Sequence, residues 1–343
     1  MLKKLFKEQI RKNLTNIGPK LHLKKIFKQK TPILEDTTLK SFGDKNNNKI
    51  FYVIKRTPGA GLFSNLTFVL NHLKIAEKYS FIPVIDMQNF PTIYNEDNKI
   101  NGTLNSWNYY FKSVSKYSLK EVYKSKNVIF TNDFFSRGML ASYEMSNKKE
   151  FKKIIEKYIF IKPHIQKEIN FYKKKYFKNH DKILGVHFRG TTYKKARGHT
   201  FPIPKKMMKK NIDYLINKFG YSKIFVVTEE LKYLKYLKKY YNEKVTFINV
   251  FRELYQDAFL QYPRPNHRYK LGKEILIETL LLSYCSGFTF IRTNVSSAAI
   301  AFSKNKQHLH PLYIGHNSEN KYIARWNWYY KKILPNWMGG FKL

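Results

Sequence analysis

The feature that most constrains this chain is the alternation of short apolar strands with helix-period segments, each strand ending in polar residues. In the second half the strands read as Ile183-Leu184-Gly185-Val186-His187-Phe188-Arg189, Lys223 to Thr228, Val245 to Val250 and Phe288 to Arg292. Helices are expected after the polar loop that ends at Pro204, over Glu229 to Tyr241, over Gly272 to Cys285, and from Ser296 onward. The first half opens the same way. Lys49 to Lys55 is a strand, Thr57-Pro58-Gly59-Ala60-Gly61 a Gly-rich turn, Leu62 to Tyr79 a helix and Ile82 to Asp86 a buried strand. Strand–helix–strand units call for parallel sheets covered by helices, and two such units suggest two Rossmann-like domains of the doubly wound kind.

The expected organisation is a basic N-terminal segment and linker over 1–49 and an α/β domain over 50–180, whose second part ends in a basic helix from Lys152 to Lys178. A second α/β domain follows over 181–310, then a C-terminal tail over 311–343 that packs back on the N-terminal domain as a returning helix. The tail is aromatic and basic, from Arg325-Trp326-Asn327-Trp328-Tyr329-Tyr330 to Trp337.

Composition narrows the classes. Of 343 residues, 43% are hydrophobic and 17% aromatic, enough to bury a core and exclude wholesale disorder. A formal charge of +40 predicts attraction to polyanions such as nucleic acid, anionic membrane, phosphorylated glycan or nucleotide. Part of it reflects a Lys- and Asn-rich codon bias, visible in Lys45-Asn46-Asn47-Asn48-Lys49. A lone Cys285 excludes an internal disulfide framework and a Cys-rich zinc site, and fits a reducing compartment. The apolar run Ile275 to Leu282 is interrupted by Glu278 and is far too short to span a bilayer. No secretory signal is read at the start. Residues 1–30 instead carry Leu2, Leu5, Phe6, Ile10, Leu14 and Ile17 at helical spacing among lysines, which fits a helix lying on an anionic membrane face or a solvated tail.

Three strand ends carry the chemistry. His187 and Arg189 stand two apart on one strand, so they share a face near the sheet edge where open α/β sheets bind ligands. An Arg there suits phosphate through charge-assisted bonds; an interdomain ion pair is the alternative. Thr228-Glu229-Glu230 follows the next strand, either as capping residues or as a general base. Arg292-Thr293-Asn294-Val295-Ser296-Ser297 opens a helix whose N-terminus can hold an anion, or is simply capped by Asn294 or Ser296. Glu278, inside an apolar helix, must be solvent-facing, paired, or holding a ligand's donors. Gly59, Gly61 and Asn65 mark either close backbone approach to a ligand or a tight turn. His308 and His310 have no third metal ligand nearby and read as structural. Asp-X-Asp, Gly-X-Ser-X-Gly and the kinase motifs are absent.

Taken together, His187-Phe188-Arg189-Gly190-Thr191, Val227-Thr228-Glu229-Glu230, the block from Glu278 through Ser283 to Asn294-Val295-Ser296-Ser297, and Pro58-Gly59-Ala60-Gly61-Leu62-Phe63-Ser64-Asn65 resemble the GDP-fucose-dependent fucosyltransferases of the α1,6-, protein-O- and nodulation-type superfamily. The resemblance spans roughly residues 50–310. It implies a GT-B-like fold, with two Rossmann-like domains facing a central cleft, the donor held mainly by the second and Gly59, Gly61 and Asn65 on the acceptor side. It implies metal-independent, inverting transfer from GDP-fucose. By position, Arg189 would hold the β-phosphate, His187 would lie along the guanosine, Glu278 would read guanine, and Gly190, Thr228, Asn294, Ser296 and Ser297 would complete the donor pocket. Thr192 and Arg197 stand where relatives carry acids, so the base falls to Glu229, Glu230 or His199.

The expected function is therefore transfer of fucose or a related sugar to a bacterial surface glycan, lipid-linked acceptors included, by a cytoplasmic enzyme peripheral on the inner membrane face. A family member that binds donor without turnover is the first alternative. A nucleic-acid-binding protein is the second: charge and aromatics permit it, but no recognition motif is present.

Overall fold

The computed structural model describes residues 21–22, 38–133, 139, 149–177, 182–253, 258–304 and 306–342. The amphipathic stripe expected between Leu2 and Ile17 lies outside the described residues. The chain forms two compact units, residues 1–165 with 266–273, and residues 166–265 with 274–343. Both are mixed helix and sheet. Among the described residues, no helix is long and apolar enough to cross a membrane.

The first unit holds a five-stranded sheet built from β1 (Leu21–His22), β2 (Thr38–Lys40), β3 (Phe51–Ile54), β4 (Ile82–Ile85) and β5 (Val128–Phe130), in the order β1-β2-β5-β3-β4. β3 runs parallel to β4 and β5, whereas β1 and β2 are antiparallel. The sheet is thus mixed rather than wholly parallel. Successive side chains of β3 point to opposite faces. Phe51 and Val53 join Val84, Val122, Val128 and Phe130 in one apolar cluster. Tyr52 turns the other way and its hydroxyl meets His72 Nδ1 at 2.8 Å, which ties the sheet to helix α1 (Leu62–Lys78).

The single basic helix expected from Lys152 is two helices, α2 (Lys149–Tyr158) and α3 (Pro163–Tyr176). Between them the backbone turns to other partners: Lys112 N–H donates to Phe160 O at 2.7 Å and Lys162 N–H to Tyr110 O at 2.9 Å. Pro163, which has no N–H, then suits the first position of the new helix.

The second unit is the parallel sheet that the strand–helix alternation calls for. It contains β6 (Ile183–His187), β7 (Lys223–Val227), β8 (Val245–Thr246), β9 (Gly287–Phe290) and β10 (His308–Pro311), in the order β10-β9-β6-β7-β8, every pair parallel. The helices are α4 (Lys205–Phe219), α5 (Leu231–Tyr241), α6 (His267–Leu282), α7 (Asn294–Phe302) and α8 (Lys321–Ile333). Residues 267–273 of α6 group with the first unit.

Leu184, Val186, Ile224 and Val226 pack on Ile212 and Leu215 of α4 and Leu234 and Leu237 of α5. The opposite face is close-packed too: a Cβ on Gly185 would come within 3.0 Å of Cys285 Sγ and Leu282. Cys285 therefore serves as a small buried apolar side chain. Of the strand expected over Val245 to Val250 only Val245–Thr246 joins the sheet. β10 has mostly exposed residues, which an apolar-run search passes over; His308 and His310 stand against the Phe219 ring.

Candidate functional site

The second sheet has one position where the strand order reverses. The chain passes from β6 to β7 to β8 on one side, then returns to place β9 and β10 on the other side of β6. Because all five strands are parallel, the segments after β6, β7 and β9 leave from the same edge. The crevice at such a reversal, beyond the carboxyl ends, is where open α/β sheets hold ligands. All three expected strand ends meet there: His187-Phe188-Arg189-Gly190 after β6, Thr228-Glu229-Glu230 after β7, and Thr293-Asn294 after β9.

His187 and Thr293 touch across the reversal, with Nδ1 and Oγ1 3.4 Å apart. His187 is buried, and desolvation together with the neighbouring Arg189 charge pushes its pKa down to about 3. It is a neutral hydrogen-bonding ring at any physiological pH.

Arg189 lies just beyond the strand and is ion-paired with Glu229. Its Nη2 donates to Thr192 Oγ1 at 3.2 Å, and its guanidinium lies 4.6 Å from the centre of the Tyr193 ring. The Arg189 and Glu229 side chains retain 27% and 21% of their accessibility, so the pair is partly exposed. Glu229 also accepts from Gly190 N–H at 3.3 Å, so both of its oxygens have partners. Burial pushes the Glu229 carboxyl up, against the pull of Arg189 and that N–H.

Glu230 is ion-paired with Lys194 and nearly buried. Gly190 passes so close to this carboxyl that an added Cβ would fall 2.5 Å from Oε1, so any larger residue would have to displace the Glu230 side chain.

The capping expected of Thr228 differs. Helix α5 starts at Leu231 with Glu230 at its N-cap, so neither carboxylate stands in the first turn. Glu253 N–H donates to Glu229 O at 2.8 Å and Leu231 N–H to Glu253 O at 3.2 Å, holding the backbone extended two residues longer. Thr228 Oγ1 accepts from Glu230 N–H at 3.2 Å.

The cap of α7 is Thr293, not Asn294 or Ser296. Its extended backbone lets Oγ1 accept from Ser296 N–H at 3.2 Å, while Ser296 Oγ accepts from Thr293 N–H at 2.9 Å. Ser296 Oγ also donates toward Ile291 O at 3.1 Å, so this hydroxyl is engaged in the cap. Ser297 is buried beside it. Asn294, the first helical residue, is partly exposed.

His199 is exposed; its Nδ1 stands 2.8 Å from Arg197 O and its ring meets Tyr193 edge-on at 4.9 Å. Tyr193 thus lies between His199 and Arg189.

Glu278 resolves to the paired alternative. Arg252 Nη2 donates to its Oε1 at 2.8 Å, and the two side chains are only 4% and 5% exposed. Arg252 Nη1 also donates to Ile248 O at 3.1 Å and Val250 O at 3.3 Å. Burial pushes the Glu278 carboxyl up to about 8, Arg252 opposing and Glu274 and Glu229 adding to the rise.

In the first unit Gly59, Gly61 and Asn65 do come together, and as a tight turn. Gly59 has φ +72° and would place a Cβ 2.9 Å from Asn65 Oδ1, and that same oxygen accepts from Ala60 N–H at 2.9 Å. Gly61 is the N-cap of α1. Arg56, buried before the turn, donates to Ser64 O at 2.6 Å. Sequence reading missed Arg56, Tyr193, Lys194 and Arg252, and it named Thr293 in the third strand end without its role as the cap. Only the Thr293 cap carried a local signal, the Thr-X-X-Ser spacing of a reciprocal cap; the others are positioned by tertiary contact.

No protein-family model and no curated protein matches the chain. Among solved structures it is similar to fucosyltransferases. NodZ alpha-1,6-fucosyltransferase soaked with GDP-fucose is 14% identical over 74% of this chain and 92% of its own, with a TM-score of 0.46. Fucosyltransferase NodZ from Bradyrhizobium is 15% identical over 73% and 92%, at 0.45. A mutant of Arabidopsis thaliana FUT1 in complex with GDP is 11% identical over 79% and 71%, at 0.42.

Proposed function

We propose that this protein is a glycosyltransferase that moves fucose, or a related sugar, from a GDP-sugar to a glycan acceptor. One observation carries the reading. The His187-Phe188-Arg189-Gly190 strand end stands at the reversal point of a parallel sheet, faced across the crevice by the capped N-terminus of α7. As the bond from the anomeric carbon to oxygen breaks, negative charge grows on the leaving diphosphate. A guanidinium and a helix N-terminus aimed at that place stabilise the transition state more than the ground state, which is electrostatic preorganisation. These groups take the charge that a metal ion takes elsewhere, so the transfer is read as metal-independent, and direct displacement at carbon makes it inverting.

In this reading Glu229 orients Arg189, and Gly190, Thr228, Asn294 and Ser297 line the phosphates. His187 supports the guanosine as a neutral ring, and Glu278 reads guanine once its pairing with Arg252 adjusts. Of the three bases, His199 fits best: with Nδ1–H donating to Arg197 O, its Nε2 is the acceptor nitrogen. Glu229 and Glu230 are each already matched to a cation. A GT-B-like cleft, with Gly59, Gly61 and Asn65 on its acceptor side, a surface-glycan acceptor and a cytoplasmic location belong to the same proposal.

A screen of GDP release with GDP-fucose, GDP-mannose and UDP-sugars tests it. Turnover is expected with a GDP-sugar, and Arg189→Ala should lower kcat by about 10²–10³ while the far-UV spectrum stays unchanged. Full turnover by Arg189→Ala, or release from UDP-sugars alone, would sink the assignment. The pairing of both carboxylates favours one second reading: a protein that binds GDP-sugar without transferring it. Tight GDP-fucose binding without release would select it.

A further inference from the structure

Helix α8 presents a surface that the proposed transfer does not use. Its inward side is settled within the second unit. Ala324 and Trp328 are buried, Trp328 Nε1 donates to Pro202 O at 2.8 Å, and the ring packs with Phe201 and Phe341. Its outward side is apolar as well. Tyr322, Trp326, Tyr329 and Ile333 follow one another at helical spacing and are exposed, with Ile323 and Tyr330 beside them. The short turn Asn336–Met338 adds Trp337, 84% exposed, and Met338. Of the sixteen large apolar side chains exposed among the described residues, eight lie between 322 and 338. Single exposed apolar residues are ordinary; a gathered set marks an interaction surface.

The charge around this face says what it meets. From Asn320 to Leu343 the sequence has Lys321, Arg325, Lys331, Lys332 and Lys342 and no Asp or Glu. Lys321, Arg325, Lys332 and Lys342 are exposed, and the Arg325 guanidinium stands 5.8 Å from the Trp326 ring. Trp and Tyr settle at the headgroup level of bilayers, aliphatic side chains reach the acyl boundary, and flanking cations meet anionic headgroups. A nucleic acid would stack on the aromatics, but it has no use for Ile323, Ile333 and Met338 in the same face.

We propose that α8 and the turn after it dock in the plane of an anionic lipid bilayer surface, with Tyr322, Trp326, Ile333 and Trp337 entering the headgroup layer. This docking is independent of the donor chemistry at the β6 strand end. The test is co-sedimentation of the full chain with vesicles of phosphatidylglycerol and phosphatidylcholine, against phosphatidylcholine alone. Binding should favour the anionic vesicles and weaken with salt. Brominated lipid should quench tryptophan emission in the wild type.

The variant Trp326→Ser/Ile333→Ser/Trp337→Ser changes exposed positions only. It should keep the far-UV spectrum, bind anionic vesicles about tenfold or more weakly, and lose most of the quenching. Wild-type vesicle binding by this variant would overturn the proposal by placing attachment elsewhere in the basic chain. So would equal binding to neutral vesicles. A lipid-free dimer that the same variant abolishes, or RNA binding that it abolishes while vesicle binding persists, would overturn it by giving the face another occupant.

Discussion

Arg252 and Glu278 form the most enclosed ion pair among the described residues, 2.8 Å apart with side chains 4% and 5% exposed. Replacing Arg252 with Met keeps most of the stem but leaves the Glu278 carboxyl in a dry site without a cation. It also strips a donor from Ile248 O and Val250 O. Removing one partner of a buried pair costs about 3–5 kcal/mol if the survivor stays charged. Here the survivor can take a proton. Its folded pKa is about 8 against an ordinary 4.5, so this group contributes most to stability below 4.5 and loses that contribution as pH rises to about 8.

Without Arg252 the folded pKa climbs further, so the pH dependences of wild type and variant diverge only above about 8. From about pH 5 to 7 the deficit should be about 1–3 kcal/mol, set by the orphaned carbonyls. Above about pH 8 it should widen by about 1.4 kcal/mol per pH unit. Arg252→Met/Glu278→Leu, which removes both charges, should keep the deficit of about 1–3 kcal/mol set by the orphaned carbonyls, but without widening above about pH 8. The measurement is the urea midpoint at unchanged slope, taken across pH. A deficit already complete at about pH 5 and flat thereafter would refute the reasoning, because the carboxylate would then be ionised throughout.

Two further outcomes follow from the same geometry. Gly190→Ala puts a methyl against the Glu230 carboxyl and should disturb the Lys194 pair and the Arg189 loop together, lowering GDP affinity about tenfold or more with little change in far-UV signal; unchanged affinity in calorimetry would contradict the close approach. His187 has a folded pKa of about 3 against 6.5 unfolded, so the unfolded chain takes its proton first and stability should fall as pH drops through that window; His187→Gln, which cannot titrate, should flatten part of the acid loss in denaturation curves, and an identical profile would show that the ring is not buried neutral.

Local patterning was enough to specify the strand–helix alternation, the parallel second sheet, and the strand ends that bear His187, Arg189, Glu229 and Thr293. These follow from periodicity and strand-end chemistry, which act over a few residues. Its errors were local competitions lost to distant partners. One basic helix became two because the backbone at Phe160 and Lys162 pairs with Lys112 and Tyr110, and α5 starts late because Glu229 and Leu231 pair with Glu253. That Arg189 rests on Glu229, that Glu230 faces Lys194, that Glu278 answers Arg252 and that His187 meets Thr293 comes from packing in three dimensions. Those partners are up to 106 residues apart in the chain, and a hydrogen bond or ion pair depends on a few ångströms of separation that no local pattern encodes.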